Sequence, residues 1–254
     1  MLFSNLFTTL LQILTKPKFF IPMIIVILAS GAVTLLSGWA LERPVIDLVL
    51  YYDSIPQDNL LGVMLANYPL EIATILFFGL LMTFISLIGL FSIARLAKGE
   101  KLVDAVNDSV ADWKKSAAVT IIFSLAFVIF AGAFSVALML SAISDIVSQI
   151  VSVILTIILF IVIIKVVFVI PALTEKEVKK AFQESWKFTD KRFWKTTLLV
   201  ILTSVIAFVG ILLITQLGIV LGEVFEIPFS IIGEAFGTTY FIASITNYFY
   251  HKEK

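Results

Sequence analysis

The sequence contains no cysteine and a single histidine, His251, among its 254 residues. The absence of cysteine excludes disulfide bonds, thiolate metal sites and cysteine nucleophiles. One histidine is too few for a histidine metal cluster or a histidine-based triad, and no Gly-Lys-Ser/Thr phosphate-binding pattern occurs. We therefore expect no metal site and no cofactor, and we expect that the protein is not an enzyme.

Charged residues are also scarce. They make up 14% of the chain, whereas hydrophobic residues make up 60%. A soluble domain typically has about 25% charged and about 45–50% apolar residues. A chain of this composition lacks the polar side chains that would cover a water-soluble globule. We therefore expect lipid to cover much of its surface.

Six stretches are long and apolar enough to cross a bilayer, which takes about 20 mostly apolar residues as a helix. They show no alternation of apolar and polar positions, so we predict helices and an all-α fold. The predicted spans are residues 19–41, 70–96, 116–140, 146–170, 193–221 and 227–250. Between the first two lies the longest connection, residues 42–69, which we expect to be an outer loop that could cap an outward cavity.

The basic residues predict the orientation. Sixteen of the eighteen fall in four clusters, at residues 16–18, 95–115, 176–195 and 252–254, and six crossings would place all four on one side. That side carries nine acidic residues and a net charge of +7, whereas the other carries Arg43 and nine acidic residues. Positively charged loops stay in the cytoplasm. We therefore predict a multi-pass protein of the cytoplasmic (cell) membrane with both termini cytoplasmic. Acidic residues are interleaved with the basic ones, so we expect no nucleic-acid partner.

A threefold internal repeat is visible at the entrances to the spans. Residues 14–20 (LTKPKFF) resemble residues 188–194 (FTDKRFW), and residues 105–109 (AVNDS) resemble residues 181–185 (AFQES). Each copy begins with an amphipathic segment, too polar to cross the membrane and too apolar on one side to leave it. We predict a single transmembrane domain, residues 1–254, built from three spanning hairpins that each follow an interfacial helix. The repeat units are residues 1–96, 97–171 and 172–254.

The chain resembles a family of prokaryotic membrane proteins in three places. These are residues 16–22 (KPKFFIP), 167–173 (VFVIPAL), and 181–187 (AFQESWK) leading to Arg192-Phe193-Trp194. In these residues it is similar to the membrane domain attached to some glycerophosphodiester phosphodiesterases and to stand-alone relatives of that domain. The resemblance implies a six-helix integral membrane protein. It does not imply phosphodiesterase activity, which would belong to an attached soluble domain.

Three ionisable residues lie within or at the edge of predicted spans, where a charge is costly and often functional. They are Glu71, Lys165 and Glu234. If Ser152 and Thr156 face the bundle, Lys165 points towards lipid and extends to the headgroups. Glu234 cannot extend as far, so we expect it to be buried in the bundle or to face an outer cavity. The candidate ligand-binding residues lie on the same helix stripe as Glu234 or at the outer surface. The candidate headgroup-binding residues lie at the inner surface. The first set is Glu234, Glu71, Ser230 and Thr238, and the second is Lys165, Lys114, Lys115, Lys191, Arg192 and Lys195.

Two functions remain open. The first is a non-enzymatic membrane protein that handles lipid or another amphiphile, or that forms a scaffold with a membrane protein partner. The interfacial helices and inner-surface cations favour it, with membrane lipids as partners. The alternative is a small-solute transporter, or a substrate-binding transporter subunit, with an outward cavity near Glu234.

Overall fold

In the computed structural model, which describes residues 2–51, 67–140 and 144–253, the chain is helical and the described residues contain no strand. The predicted all-α membrane fold is confirmed at this level. A short 3₁₀ turn, Pro17–Phe19, separates the first two helices. The ten α-helices of the described part are α1 (Leu2–Thr15), α2 (Ile21–Tyr51), α3 (Pro69–Ala97), α4 (Leu102–Ala111), α5 (Trp113–Met139), α6 (Asp145–Val166), α7 (Val169–Leu173), α8 (Val178–Asp190), α9 (Phe193–Leu221) and α10 (Glu223–Glu253).

Five segments of the described part are long and apolar enough to cross a membrane. They are Pro17–Leu35, Pro69–Ala97, Trp113–Met139, Asp145–Leu173 and Phe193–Leu221. They correspond to the first five predicted spans. Their outer surfaces carry exposed apolar side chains, among them Leu35 at 82% and Phe127 at 74% exposure. Such surfaces require a lipid environment.

The sixth predicted span, residues 227–250, lies within the 31-residue helix α10 but is not among these five segments. The physical reason is that the second half of α10, from Ala235 onwards, is mostly buried, and the helix packs against α9, α1, α2 and α3. Its buried side chains include the polar Thr239, Ser244 and Thr246. A helix surrounded by protein does not need a continuous apolar surface.

Small residues bring α9 and α10 together. A Cβ added to Gly233 would lie 3.2 Å from the Ile211 carbonyl oxygen, and one on Gly237 would lie 2.4 Å from Ile211 Cδ1. On the opposing helix, a Cβ added to Gly210 would lie 2.1 Å from the Phe236 ring. Glycine therefore favours close approach of the two helices, most clearly at Gly210, where a Cβ would overlap the Phe236 ring. The GxxxG spacing of residues 233 and 237 therefore serves helix packing.

The first predicted span ends too early. Helix α2 continues to Tyr51, although the sequence predicts a loop from Glu42 onwards. A proline such as Pro44 usually ends a helix, but α2 runs through it. Six of the seven residues 45–51 are apolar, the exception being Asp47, and they continue the hydrophobic character of the helix. The rest of the predicted outer loop, residues 52–66, lies outside the described residues.

Three short helices, α1, α4 and α8, occupy the segments that the sequence predicts to be amphipathic. In α4 and α8 the buried positions are small, Ala105 and Ser109 in one and Ala181 and Ser185 in the other. Helix α1 exposes Phe3 and packs on α10 through its opposite face. Their placement in the membrane interface, and their origin as repeats, stay predictions.

Side-chain contacts gather the ends of several helices at one end of the bundle, which we call the basic end. Thr174 Oγ1 lies 2.8 Å from the Tyr250 hydroxyl. Lys98 Nζ lies 2.6 Å from a carboxylate oxygen of Glu175, and Lys115 Nζ donates to the Leu173 carbonyl at 3.3 Å. The basic cluster 95–115 and the residues that directly precede the cluster 176–195 therefore share this end with the C-terminal part of α10.

Candidate anion-binding site

A cavity of about 650 Å³ lies along α8 at the basic end. We call it the α8 cavity. Five of its lining residues are basic and two are acidic, so its formal charge is +3. A concave surface with an excess of one sign concentrates ions of the opposite sign. The lining residues are Lys176, Lys180, Gln183, Glu184, Lys187, Phe188, Asp190, Lys191 and Arg192.

Both carboxylates of the α8 cavity are already held in ion pairs. Glu184 pairs with Lys176, and Asp190 pairs with Lys165, which does not line the cavity. The four other basic residues of the lining have no carboxylate within ion-pair distance in the described part of the chain. They are Lys180, Lys187, Lys191 and Arg192. Their positive charge is available to a bound anion.

The basic cluster of residues 95–115 is arranged differently, because acidic residues neutralise its half-buried members Arg95 and Lys115. Arg95 Nη2 lies 2.7 Å from Asp112 Oδ2, and Nη1 lies 3.6 Å from Glu100 Oε2. Lys115 Nζ lies 3.1 Å from Asp112 Oδ1. These cations join helices, whereas Lys180, Lys187, Lys191 and Arg192 of the α8 cavity have no carboxylate partner among the described residues.

Arg192 follows α8 and lies against a cluster of aromatic rings. Its guanidinium carbon is 4.6 Å from the centre of the Phe188 ring, a cation–π distance. That ring contacts Phe168 and Phe249, with centroids 4.8 Å and 5.1 Å away. One guanidinium nitrogen, Nη1, is buried and has no hydrogen-bond partner among the described residues. An unpaired buried N–H is costly, so this position favours an added acceptor such as a phosphate oxygen.

Helix α8 is fixed to the end of α6 by one serine. The chain turns at residues 167–168 between α6 and α7, where Pro171 has no N–H to continue the helical ladder. The Ser185 hydroxyl donates to the Lys165 carbonyl at 2.6 Å and accepts from the Phe168 N–H at 3.2 Å. Ser185 is fully buried. The same hydroxyl therefore satisfies two backbone groups at the break and positions the cavity against the spans.

The expected orientation of Lys165 towards lipid is wrong. The residue is 9% exposed, its ammonium pairs with Asp190, and it lies 5.0 Å from the centre of the Trp186 ring. The prediction assumed that Thr156 faces the bundle, but Thr156 is exposed. Its hydroxyl donates to the Ser152 carbonyl at 2.8 Å, so it needs no partner from another helix.

The other predicted headgroup residues fall into three groups. Lys191 and Arg192 line the α8 cavity. Lys115 is half-buried and bonded to Asp112. Lys114 and Lys195 are exposed and lie outside the cavity lining, with the Lys114 ammonium 5.9 Å from the Trp113 ring centre.

The predicted ligand-binding residues are not brought into a site. Glu234 is exposed, so its expected burial within the bundle is wrong. The reason is its position on the helix. Gly233 and Gly237 face α9, and Glu234, which directly follows Gly233, points away from that contact. Ser230, Thr238 and Glu71 are half-buried. In the described ranges no hydrogen bond joins these residues, and neither of the two cavities we describe includes them.

Sequence reasoning missed several members of the α8 cavity. The sequence did carry a signal, because intervals of four, seven and four residues separate Lys176, Lys180, Lys187 and Lys191. Such spacing forms one stripe of a helix. The aromatic wall formed by Phe188 had no comparable signal, since it depends on contacts with distant helices.

Comparison with known proteins gives one match. Residues 138–251 match the family described as the membrane domain of glycerophosphoryl diester phosphodiesterase. This stretch runs from the end of α5 to His251 and includes the whole of α8 and its cavity. No curated protein and no solved structure matches the chain. The resemblance predicted from the sequence is therefore confirmed, and residues 138–251 are similar to this membrane-domain family.

Proposed function

We propose that this integral membrane protein binds the anionic headgroups of membrane lipids in the α8 cavity and is not an enzyme. One observation carries the proposal. Lys180, Lys187, Lys191 and Arg192 surround a cavity whose two carboxylates are already paired with other lysines. Phosphate groups prefer such sites, since lysine and arginine supply charge-assisted hydrogen bonds.

The position of the cavity supports a lipid source for the anion. Trp186, on α8, is 47% exposed, and Trp194, at the start of α9, is 80% exposed. Tryptophan side chains favour the level of the lipid headgroups. The first turn of α9 also begins the fifth apolar segment. A headgroup in the α8 cavity would therefore have its acyl chains beside an apolar helix surface.

We place this end of the bundle on the cytoplasmic side of the cell membrane. The positive-inside rule supports that orientation, because Lys98 and Lys115 of one basic cluster contact Glu175 and Leu173, which directly precede the next basic cluster in the sequence. Anionic lipids of the cytoplasmic leaflet attract basic groups by about 1 kcal/mol per residue near the surface. Lys114 and Lys195, which are exposed outside the cavity, would add a weaker and less specific attraction.

The proposal is tested by the lipids that purify with the protein. We expect the chain, isolated in a mild detergent, to carry anionic phospholipid at a higher proportion than the host membrane, as measured by mass spectrometry. Lys187→Gln/Lys191→Gln removes two cations of the α8 cavity and should abolish the enrichment. Raised ionic strength during washing should weaken binding for the same reason.

Lys179→Gln/Lys195→Gln is the matched control. It removes the same charge from exposed residues near the cavity that do not line it. We expect this variant to keep the enrichment. An equal loss in both double variants would show attraction by diffuse surface charge and would overturn the specific site. No enrichment in the unmodified protein would overturn the proposed function itself.

The alternative function, solute transport through a cavity near Glu234, has less support. Glu234 is exposed, and neither cavity that we describe includes it or its predicted companions. The same purification bears on this alternative. A small polar solute retained by the unmodified protein and lost in Glu234→Gln would favour it over lipid binding.

A further inference from the structure

A second cavity, of about 390 Å³, lies where α1 crosses the inner part of α10. We call it the α1 cavity. Its lining comes from α1, from the end of α3 and from the last turns of α10. The lining residues are Ser4, Asn5, Thr8, Gln12, Ala97, Asn247, Tyr248 and His251. Its volume is within the range of small-ligand sites.

The α1 cavity differs from the α8 cavity in its chemistry. Its lining includes no carboxylate, ammonium or guanidinium group. It presents hydroxyl groups, carboxamides, one phenol and one imidazole. Hydroxyls and carboxamides both donate and accept hydrogen bonds. Such a lining suits an uncharged ligand that also donates and accepts, which is the chemistry of a polyol or a sugar.

Hydrogen bonds hold the polar lining in place. The Asn247 amide donates to Thr9 Oγ1 at 3.0 Å and to Gln12 Oε1 at 3.4 Å. The Asn5 amide donates to the Ser244 carbonyl at 3.3 Å. In the part of the chain described, the amide nitrogen of Gln12 and the amide oxygens of Asn5 and Asn247 make no hydrogen bond. The side chains are therefore fixed while several polar atoms remain available to a ligand.

One wall of the α1 cavity is a buried aromatic ring. Tyr248 is 5% exposed, and its ring stacks on Phe168 with centroids 6.2 Å apart. Phe188, which lines the α8 cavity, contacts the same ring edge-to-face at 6.2 Å. One ring of this contact, Phe188, therefore lines the α8 cavity, and the other, Tyr248, lines the α1 cavity. A rigid aromatic wall beside hydrogen-bonding groups fits a polyol or sugar ring better than a flexible wall does.

The surface beside the α1 cavity is apolar. Phe3 and Phe7, on the neighbouring stripe of α1, are 72% and 63% exposed. A ligand with an uncharged polar head and an apolar tail would place the head among the amides and the tail against these rings. From this arrangement we propose that the α1 cavity binds an uncharged, hydroxyl-rich group, the glycerol or sugar head of a neutral lipid or the corresponding free polyol.

The proposal is tested with defined probes on the full chain in detergent micelles. The probes are a monoglucosyl diacylglycerol, free glucose, free glycerol and phosphatidylglycerol, and binding is measured by native mass spectrometry and by ligand-induced thermal stabilisation. We expect the glycolipid to bind. Competition by free glucose or glycerol would identify the polyol itself as the ligand, and its absence would identify the lipid. Failure of the glycolipid, glucose and glycerol alike to bind would overturn the proposal.

Gln12→Met and Gln183→Met form a matched pair of variants. The first removes a free amide from the α1 cavity, and the second makes the same change in the α8 cavity. We expect the first to weaken glycolipid binding about tenfold and to leave phosphatidylglycerol binding unchanged. Equal effects of the two variants on glycolipid binding would refute the site.

Ser4→Ala guards against misfolding as an explanation. Ser4 is exposed and lines the cavity, so its substitution should leave the melting temperature unchanged while weakening glycolipid binding. Glycolipid binding that survives both Ser4→Ala and Gln12→Met would place the ligand elsewhere. Because phosphatidylglycerol is measured in the same samples, failure of this site can be told apart from failure of the α8 cavity.

Discussion

Lys165, in the last turn of α6, forms an ion pair with Asp190, the last residue of α8. The lysine side chain is 11% exposed and the aspartate side chain 52% exposed. The pair joins a spanning helix to the helix that bears the α8 cavity. It also occupies one of the two carboxylates of the cavity, which could otherwise compete with a bound anion for the cavity's basic side chains.

Asp190→Asn should destabilise the protein, because it leaves a nearly buried ammonium without its carboxylate. Since Asp190 is half exposed, we expect a loss of about 1–2 kcal/mol rather than the larger cost of a fully buried pair. Thermal unfolding in detergent measures the effect. Lys165→Met/Asp190→Asn should recover most of the loss, because methionine fills the space without needing a partner. Additive losses in the double variant would contradict the coupling.

Ser185→Ala should destabilise the protein by about 2–3 kcal/mol. The substitution leaves the Phe168 N–H and the Lys165 carbonyl without the hydroxyl that bonds both, and buried unpaired backbone groups are costly. Ser109→Ala is the control, because Ser109 is equally buried but bonds only to the Ala105 carbonyl of its own helix. We expect a loss below about 1 kcal/mol there. Similar melting temperatures for the two variants would rule out the bridging role of Ser185.

The spans were predictable from the sequence because a long apolar run without turns has few alternatives in a membrane. The start of α9 at Phe193 coincides with the predicted start of the fifth span. The end of α2 was not predictable, because Pro44 and the charges around it indicate a boundary that the helix crosses. Local composition also underestimates how polar the buried second half of α10 can be where other helices cover it.

The site was only partly predictable. Lys191 and Arg192 were expected at the inner surface, and both line the α8 cavity. The sequence does not show which basic clusters are neutralised, because the partners of Arg95 and Lys165 depend on how the short helices dock. Glu234 illustrates the opposite error. Its four-residue spacing with Ser230 and Thr238 predicts a shared stripe but not whether that stripe faces protein.

Gly218→Ala should weaken the contact between α9 and α10. A Cβ at this position would lie 2.6 Å from Phe229 Cβ and 3.0 Å from the Phe225 carbonyl oxygen, and neither atom can move without the backbone. We expect a loss of about 1–3 kcal/mol in unfolding free energy. Gly132→Ala, on α5, meets no atom within 4 Å and should stabilise its helix by up to about 1 kcal/mol. A neutral effect at Gly218 would contradict the close packing of α9 against α10 at this position.

Single cysteines can report the orientation without background, since the native sequence has none. Lys114→Cys and Lys191→Cys both lie at the basic end, so a membrane-impermeant maleimide should label neither in intact cells and both in inverted membrane vesicles. Thr74→Cys is the comparison variant. Thr74 lies in the N-terminal part of α3, away from the basic end. Because the two lysines belong to different basic clusters, an odd number of crossings between them would place them on opposite sides. Labelling of Lys114→Cys and Lys191→Cys from opposite sides would therefore overturn both the hairpin arrangement and the assignment of the α8 cavity to one membrane surface.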